Sequence, residues 1–380
     1  MTETEAAAPP QMREPVVSSA PMAQRGPVRG VWPVPVPHGQ TGLETLQADA
    51  VSARPLSPIN RLTGLRLTET TAGRTTFTMP LSPWFQNGVG FVDPGMLAFL
   101  ADAGLSTSIH ATLPPGKGVV TSELSVKYIQ PIHRDAAQLI CRAETLHSNQ
   151  RVGASTCELL DSDGRLLGHG STRCVVIDIP TVDPEDVPGH PADLESPDPW
   201  QAPMTLEIQE PAAFDDMTGL EVCLGYVRGQ FDVTPIDLLF GGRGITFEDG
   251  LAIWELPTSP WLASGAGTIF GGAIARFTQA TLETAMLTTY PAQTIYATLD
   301  LQVHFLRPTL PETGKLRAEA TVDQRGRTVT FASARVTNES GKLVALARAS
   351  ALVVPDGMRR ILRGDFAEDM LDAAIAGGGT

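Results

Sequence analysis

The chain of 380 residues overlays itself at a constant offset of 177 positions. Thr41-Gly42-Leu43-Glu44 falls on Thr218-Gly219-Leu220-Glu221, Pro58-Ile59 on Pro235-Ile236, and Gly64 on Gly241. Pro80, Ser82, Pro83 and Trp84 fall on Pro257, Ser259, Pro260 and Trp261. Gly88, Gly90 and Gly95 fall on Gly265, Gly267 and Gly272, then Thr121 on Thr298, Pro131 on Pro308 and Gly164 on Gly341. Chance does not hold one offset over so many positions. The period is far too long for a solenoid of short repeats, so the chain carries two domain-sized copies of one unit.

Proline usage marks the edges of the copies. Eight prolines lie between Pro9 and Pro37, and six more between Pro180 and Pro199, the latter interleaved with six acids and no Lys or Arg. The expected organisation is a disordered Pro-rich leader over 1–40, a first domain over 41–178 and an extended acidic linker over 179–217. A second domain over 218–356 and a tail over 357–380 complete it. The formal net charge of −14 argues against a nucleic-acid partner or a polybasic membrane surface. No secretory signal and no apolar run long enough for a membrane span is read from the sequence. Cys141, Cys157, Cys174 and Cys223 form no CxxC pair, and the seven histidines show no metal-ligand spacing, so a reduced cytoplasmic setting without a metal is expected.

Each copy has the same coarse pattern. A short helix around 43–63 (220–240) is followed by two strand-like runs, 65–70 and 74–79 in the first copy. A Gly-rich turn then opens an apolar helix, 94–112 or 271–289. Strands follow at about 119–129, 138–147, 153–160 and 166–177 in the first copy. The central helix is apolar nearly all round (Met96, Leu97, Phe99, Leu100, Leu105) and must be enclosed by the sheet. The fold class is α+β.

The order of elements, with Thr-x-Glu-Leu-x-Val-x-Tyr-x-x-Pro from Thr121 to Pro131, resembles the hot-dog fold, and more narrowly the PaaI-type acyl-CoA thioesterases. The resemblance covers both copies and implies an intrachain pseudo-dimer of two hot-dog domains. It also implies a site shared between units. One unit gives a helix N-terminal N–H to polarise the thioester carbonyl. The other gives an acid, eight positions after the corresponding residue of its own copy, and a Ser or Thr on the next strand.

Against that pattern each copy is incomplete. The first reads Asn87-Gly88-Val89-Gly90-Phe91-Val92-Asp93-Pro94-Gly95, with Asp102 as the acid, but Pro94 has no N–H to offer. The second reads Ser264-Gly265-Ala266-Gly267-Thr268-Ile269-Phe270-Gly271-Gly272, with the N–H donor at Gly271 and Gln279 in place of the acid. Crossing the copies gives one site with Gly271 and Asp102 and another with Pro94 and Gln279. One working site per chain is therefore expected, with Asp102 as base or nucleophile, Gly271 as oxyanion donor and Thr121 as water-positioning group. Gly272, Asn87 and Ser264 are expected at the substrate. A helix N-terminus and a buried carboxylate suit this chemistry, because a developing oxyanion needs fixed donors and water needs a base.

The substrate expected from the resemblance is an acyl-CoA or related acyl thioester, with coenzyme A entering as part of the substrate and no separate cofactor. Its phosphates require local cations on an acidic protein, and Arg325-Gly326-Arg327 is the candidate, with Arg151 in the counterpart region. Glu283, one helical turn after Gln279, is a weaker candidate to serve the second site. Glu123 and Asp300, like Trp84 and Trp261, match across the copies and read as structural. The alternative function class is a hot-dog protein that binds an acyl-CoA or acyl carrier without turnover. A hydratase would carry an Asp with a His five positions later, and none occurs. A further homodimer of pseudo-dimers is a possible assembly.

Overall fold

A computed structural model describes residues 21–133, 135–186 and 197–357. The rest of the expected leader, the middle of the linker and nearly all of the tail lie outside the described residues.

Each copy opens with a capped helix. In α1 (Gly42–Ala50) the Thr41 hydroxyl accepts the Glu44 N–H while the Glu44 carboxylate accepts the Thr41 N–H at 2.8 Å. Thr218 and Glu221 build the same capping box on α4 (Gly219–Val227). This is why the Thr-Gly-Leu-Glu signature recurs. The expected entry helix is not continuous. A separate short helix follows, α2 (Pro58–Thr63) and α5 (Pro235–Phe240), each started by a proline at its first turn and stopped by a left-handed glycine, Gly64 at φ 75° and Gly241 at φ 88°.

The first copy then runs β1 (Arg66–Thr71), β2 (Arg74–Pro80), α3 (Gly95–His110), β3 (Lys117–Tyr128), β4 (Gln138–Ser148), β5 (Val152–Asp161) and β6 (Leu166–Asp178). The second repeats it as β7 (Arg243–Glu248), β8 (Leu251–Pro257), α6 (Gly271–Leu287), β9 (Ile295–Phe305), β10 (Lys315–Arg325), β11 (Val329–Asn338) and β12 (Leu343–Val354). The twelve strands form one sheet in the order β1-β2-β4-β5-β6-β3-β9-β12-β11-β10-β8-β7. Each half wraps its own central helix, and α3 is buried without a break from Gly95 to Leu105.

The halves join through β3 and β9, antiparallel, from Glu123 opposite His304 to Lys127 opposite Asp300. At the middle, Ser125 faces Gln302, its own repeat mate, so the register is a local two-fold. That symmetry sets α3 against α6, with the Phe99 and Phe270 rings edge to face at 4.9 Å.

The Pro-rich segments are not loose spacers where they are described. Residues 21–40 run along the second half and also meet the first, where the Val31 N–H donates to the Leu56 carbonyl and the Arg54 guanidinium to the Pro35 carbonyl, both at 2.9 Å. Ala23 is fully buried, the Trp261 indole N–H donates to the Arg25 carbonyl, and the Val34 N–H donates to the Gly265 carbonyl at 2.9 Å. The linker strand lies across the first half in the same manner. Trp200 packs on Gly64, and the Trp84 indole N–H donates to the Ala202 carbonyl at 2.7 Å. Residue 202 is the repeat mate of residue 25, so the two segments are equivalent straps, each covering the other half. The repeat unit thus begins upstream of residue 41. The linker acid Asp198 is drawn in by Arg29 at 3.1 Å and Arg61 at 3.5 Å rather than repelled.

Replacing Trp261 by Phe keeps the apolar packing and leaves the Arg25 carbonyl without its donor. The expected cost is about 1 kcal/mol, read as a lower urea midpoint together with faster proteolysis upstream of residue 41.

Candidate active site

The crossed pairing read from the sequence is the one the fold assembles. Asp102, midway along α3, faces the start of α6. A side chain at Gly271 would begin 2.7 Å from an Asp102 carboxylate oxygen, so only glycine fits there. The Asp102 carboxylate accepts the Gly272 N–H and the Thr121 hydroxyl, the latter at 2.8 Å. Thr121 reaches it from β3. Burial pushes the Asp102 carboxyl up to about 6, against the lowering by the Thr121 hydroxyl and the Gly272 N–H. Gly271 is the first residue of α6, so its N–H has no intrahelical acceptor, and it has none among the described residues.

The mirror arrangement lacks these features. Pro94 has no N–H, and the N–H of Gly95 is already taken by the Asp93 carboxylate at 2.7 Å. Asp93 is held by Arg276 at 2.9 Å, and Arg276 also meets Asp237 at 2.8 Å, all three side chains being buried. Gln279 accepts the Tyr128 hydroxyl at 2.5 Å and donates to Glu283 at 2.8 Å. Glu283 accepts the Thr298 hydroxyl at 2.5 Å. The threonine therefore follows the carboxylate: Thr121 bonds Asp102, whereas Thr298 bonds Glu283, one turn further along its helix. Burial raises the Glu283 carboxyl, and the charge of Asp93 adds to the rise.

Other expected site residues have different places. The Asn87 side-chain oxygen accepts the N–H groups of Val89 and Phe91, both at 3.1 Å, and Ser264 accepts that of Ala266. Both hold the turns that precede the central helices. Arg325 and Arg327 are exposed on the β10–β11 turn, and the Arg325 charge is felt at Tyr290, beyond the C-terminal end of α6. Asp300 accepts Ser350 and Lys127. The four cysteines are buried and free of disulfides. No described helix is long and apolar enough to cross a membrane. The buried ion cluster around Arg276 went unread in the sequence. Its signal was the mismatch of repeat mates, Arg276 for Phe99 and Asp93 for Phe270.

The chain is a tandem hot-dog protein, an intrachain pseudo-dimer, and it resembles the thioesterases in both halves. The thioesterase superfamily profile matches residues 90–167 and again 266–345, one stretch in each copy. Among solved structures, a tesB protein of Mycobacterium avium subspecies paratuberculosis is 12% identical at a TM-score of 0.50, over 83% of this chain and 100% of the other. A putative thioesterase of Novosphingobium aromaticivorans is 14% identical at a TM-score of 0.47, over 75% and 97% of the two chains. A hot-dog protein of unknown function from Alicyclobacillus acidocaldarius is 15% identical at 0.47, over 78% and 96%. At these identities the first likeness bears on the fold alone. No curated protein matches the chain.

Replacing Thr121 by Val removes the hydroxyl that favours the Asp102 carboxylate. The carboxyl is expected to titrate above about 6 in the variant. Carbon-detected NMR of the carboxyl reads the shift. Because the folded pKa lies above the unfolded one, Asp102 favours the folded state most below the unfolded value near ~3.9, and that contribution is lost as pH rises through about 6.

Proposed function

We propose that the chain hydrolyses an acyl-CoA or a related acyl thioester to a carboxylic acid and a free thiol, at one composite site per chain. The observation that carries this reading is the contact of the buried Asp102 carboxylate with the N-terminal glycines of α6. It sets a base of raised pKa beside an unengaged helix N–H.

The carbonyl oxygen of the thioester takes the Gly271 N–H, where the helix dipole favours developing negative charge. Asp102, ionised, removes a proton from water, and Thr121 fixes the carboxylate against β3. The water oxygen bonds to the carbonyl carbon, the tetrahedral intermediate collapses and the carbon–sulfur bond breaks. The thiolate receives the proton held by Asp102. A thiol with a reference pKa near ~8.5 is a good leaving group, so no separate general acid is needed. The reading uses no metal or cofactor. The Pro94 side offers neither free donor nor acid at the matching positions, so it is read as hydrolytically silent.

Asp102→Asn is expected to lower kcat by about 10²–10⁴, measured by thiol release over acyl-CoAs of several lengths. Gln279→Ala is expected to leave kcat within about threefold, well short of one tenfold step in the barrier. An equal loss in both variants would sink the asymmetry. In the wild type, kcat/KM should rise with pH through about 6 as Asp102 ionises in the free enzyme.

A further inference from the structure

The internal repeat lets the two crossed sites be compared residue by residue, and they differ at more than the catalytic positions. On the silent side, Glu283 and Tyr296 fill the space between α6 and β9. The Glu283 carboxylate accepts Thr298 at 2.5 Å and faces the Tyr296 hydroxyl at 3.5 Å. Gln279 and Glu283 are buried, 1% and 7% exposed. Tyr128 closes the group from the other half by its bond to Gln279.

The repeat mates on the Asp102 side are small or apolar. Ser106 stands for Glu283, Val119 for Tyr296 and Phe305 for Tyr128. Ser106 turns its hydroxyl back onto its own helix, to the Asp102 carbonyl at 2.7 Å, and reaches no strand. Val119 lies two residues before Thr121 on β3 and so shares its inward face. Ser106 and Val119 are both half-buried. The polar pair Asp93–Arg276 is replaced by Phe270 and Phe99, edge to face.

We propose that Ser106 and Val119 admit the acyl group beside Asp102, with Phe270 and Phe305 as apolar walls, and that Glu283 and Tyr296 plug the pseudo-symmetric position. Each chain then binds one thioester with an apolar acyl group. This rests on the hydrolase reading for the identity of the site, but it concerns capacity rather than turnover. A long side chain at 106 occupies the acyl position, whereas shortening Glu283 and Tyr296 opens a second binding position that cannot hydrolyse, because Pro94 has no N–H.

The test is titration calorimetry with S-octyl coenzyme A, a thioether that cannot be hydrolysed. Wild type is expected to bind one equivalent per chain, Glu283→Ser with Tyr296→Val two, and Tyr296→Phe, which keeps the bulk, one. Ser106→Leu is expected to lose octyl binding. It is also expected to lower kcat/KM for octanoyl-CoA, relative to acetyl-CoA, by about tenfold or more, as a filled pocket does. Circular dichroism confirms that each variant is folded. Two equivalents in wild type, or an unchanged acyl-length profile in Ser106→Leu, overturns the proposal, and Ser106→Leu reports on it even where the double variant fails to fold. A chain that binds one equivalent of the thioether but releases no thiol from any acyl-CoA overturns the hydrolase reading and leaves the single acyl position standing.

Discussion

A carboxylate pressed against a helix start is the contact on which the rest of the molecule depends. Asp102 sits where a side chain at Gly271 would begin, so α3 and α6 must approach closely and in one register. That approach is fixed by the β3–β9 ladder, whose centre pairs Ser125 with its repeat mate Gln302. A slip of this ladder would shift one half along the other and separate Gly271 from Asp102. The same closeness removes water from the carboxylate, which is the main cause of its raised pKa. Geometry and basicity here have one origin.

The duplicated chain has used its two-fold symmetry unevenly. Where two identical units meet, every contact occurs twice and the sites are equal. Here the repeat mates diverge in sets. Phe99 and Phe270 give way to Arg276 and Asp93, a buried ion pair that Asp237 completes. A buried pair of this kind adds little net stability over apolar packing, although losing one partner is costly. Its effect is local: Asp93 also consumes the Gly95 N–H, the last donor at the start of α3. The helix that lost its donor to proline has thus had its remaining one engaged.

Much of this was legible in the sequence, for identifiable reasons. The repeat was visible because glycines, prolines and caps occupy positions that backbone geometry dictates: Gly64 and Gly241 end helices at positive φ, and Thr41 and Thr218 cap them. The crossing of Asp102 with Gly271 followed from comparing the copies within a known family pattern. The straps were not legible. Arg25 and Ala202 are repeat mates joined to tryptophans through backbone carbonyls, which any residue supplies, so no side-chain pattern records them. The single expected entry helix split because Pro58 and Pro235 begin a new helix within it.

The exchange of straps reverses the usual meaning of a terminus. The segment at the start of the first copy belongs structurally to the second, since it covers Trp261, and the linker strand belongs to the first, since it covers Trp84. Neither half is a closed body that a tether happens to join. A boundary drawn before residue 41 would strip the cover from Trp261 in the far half and take from the adjacent half the backbone partners of Leu56 and Arg54. The linker is equally a structural element of the domain it leaves. Such an arrangement is what fusion of an arm-exchanging dimer produces, and it lets the two sites drift apart in chemistry while the body stays clasped.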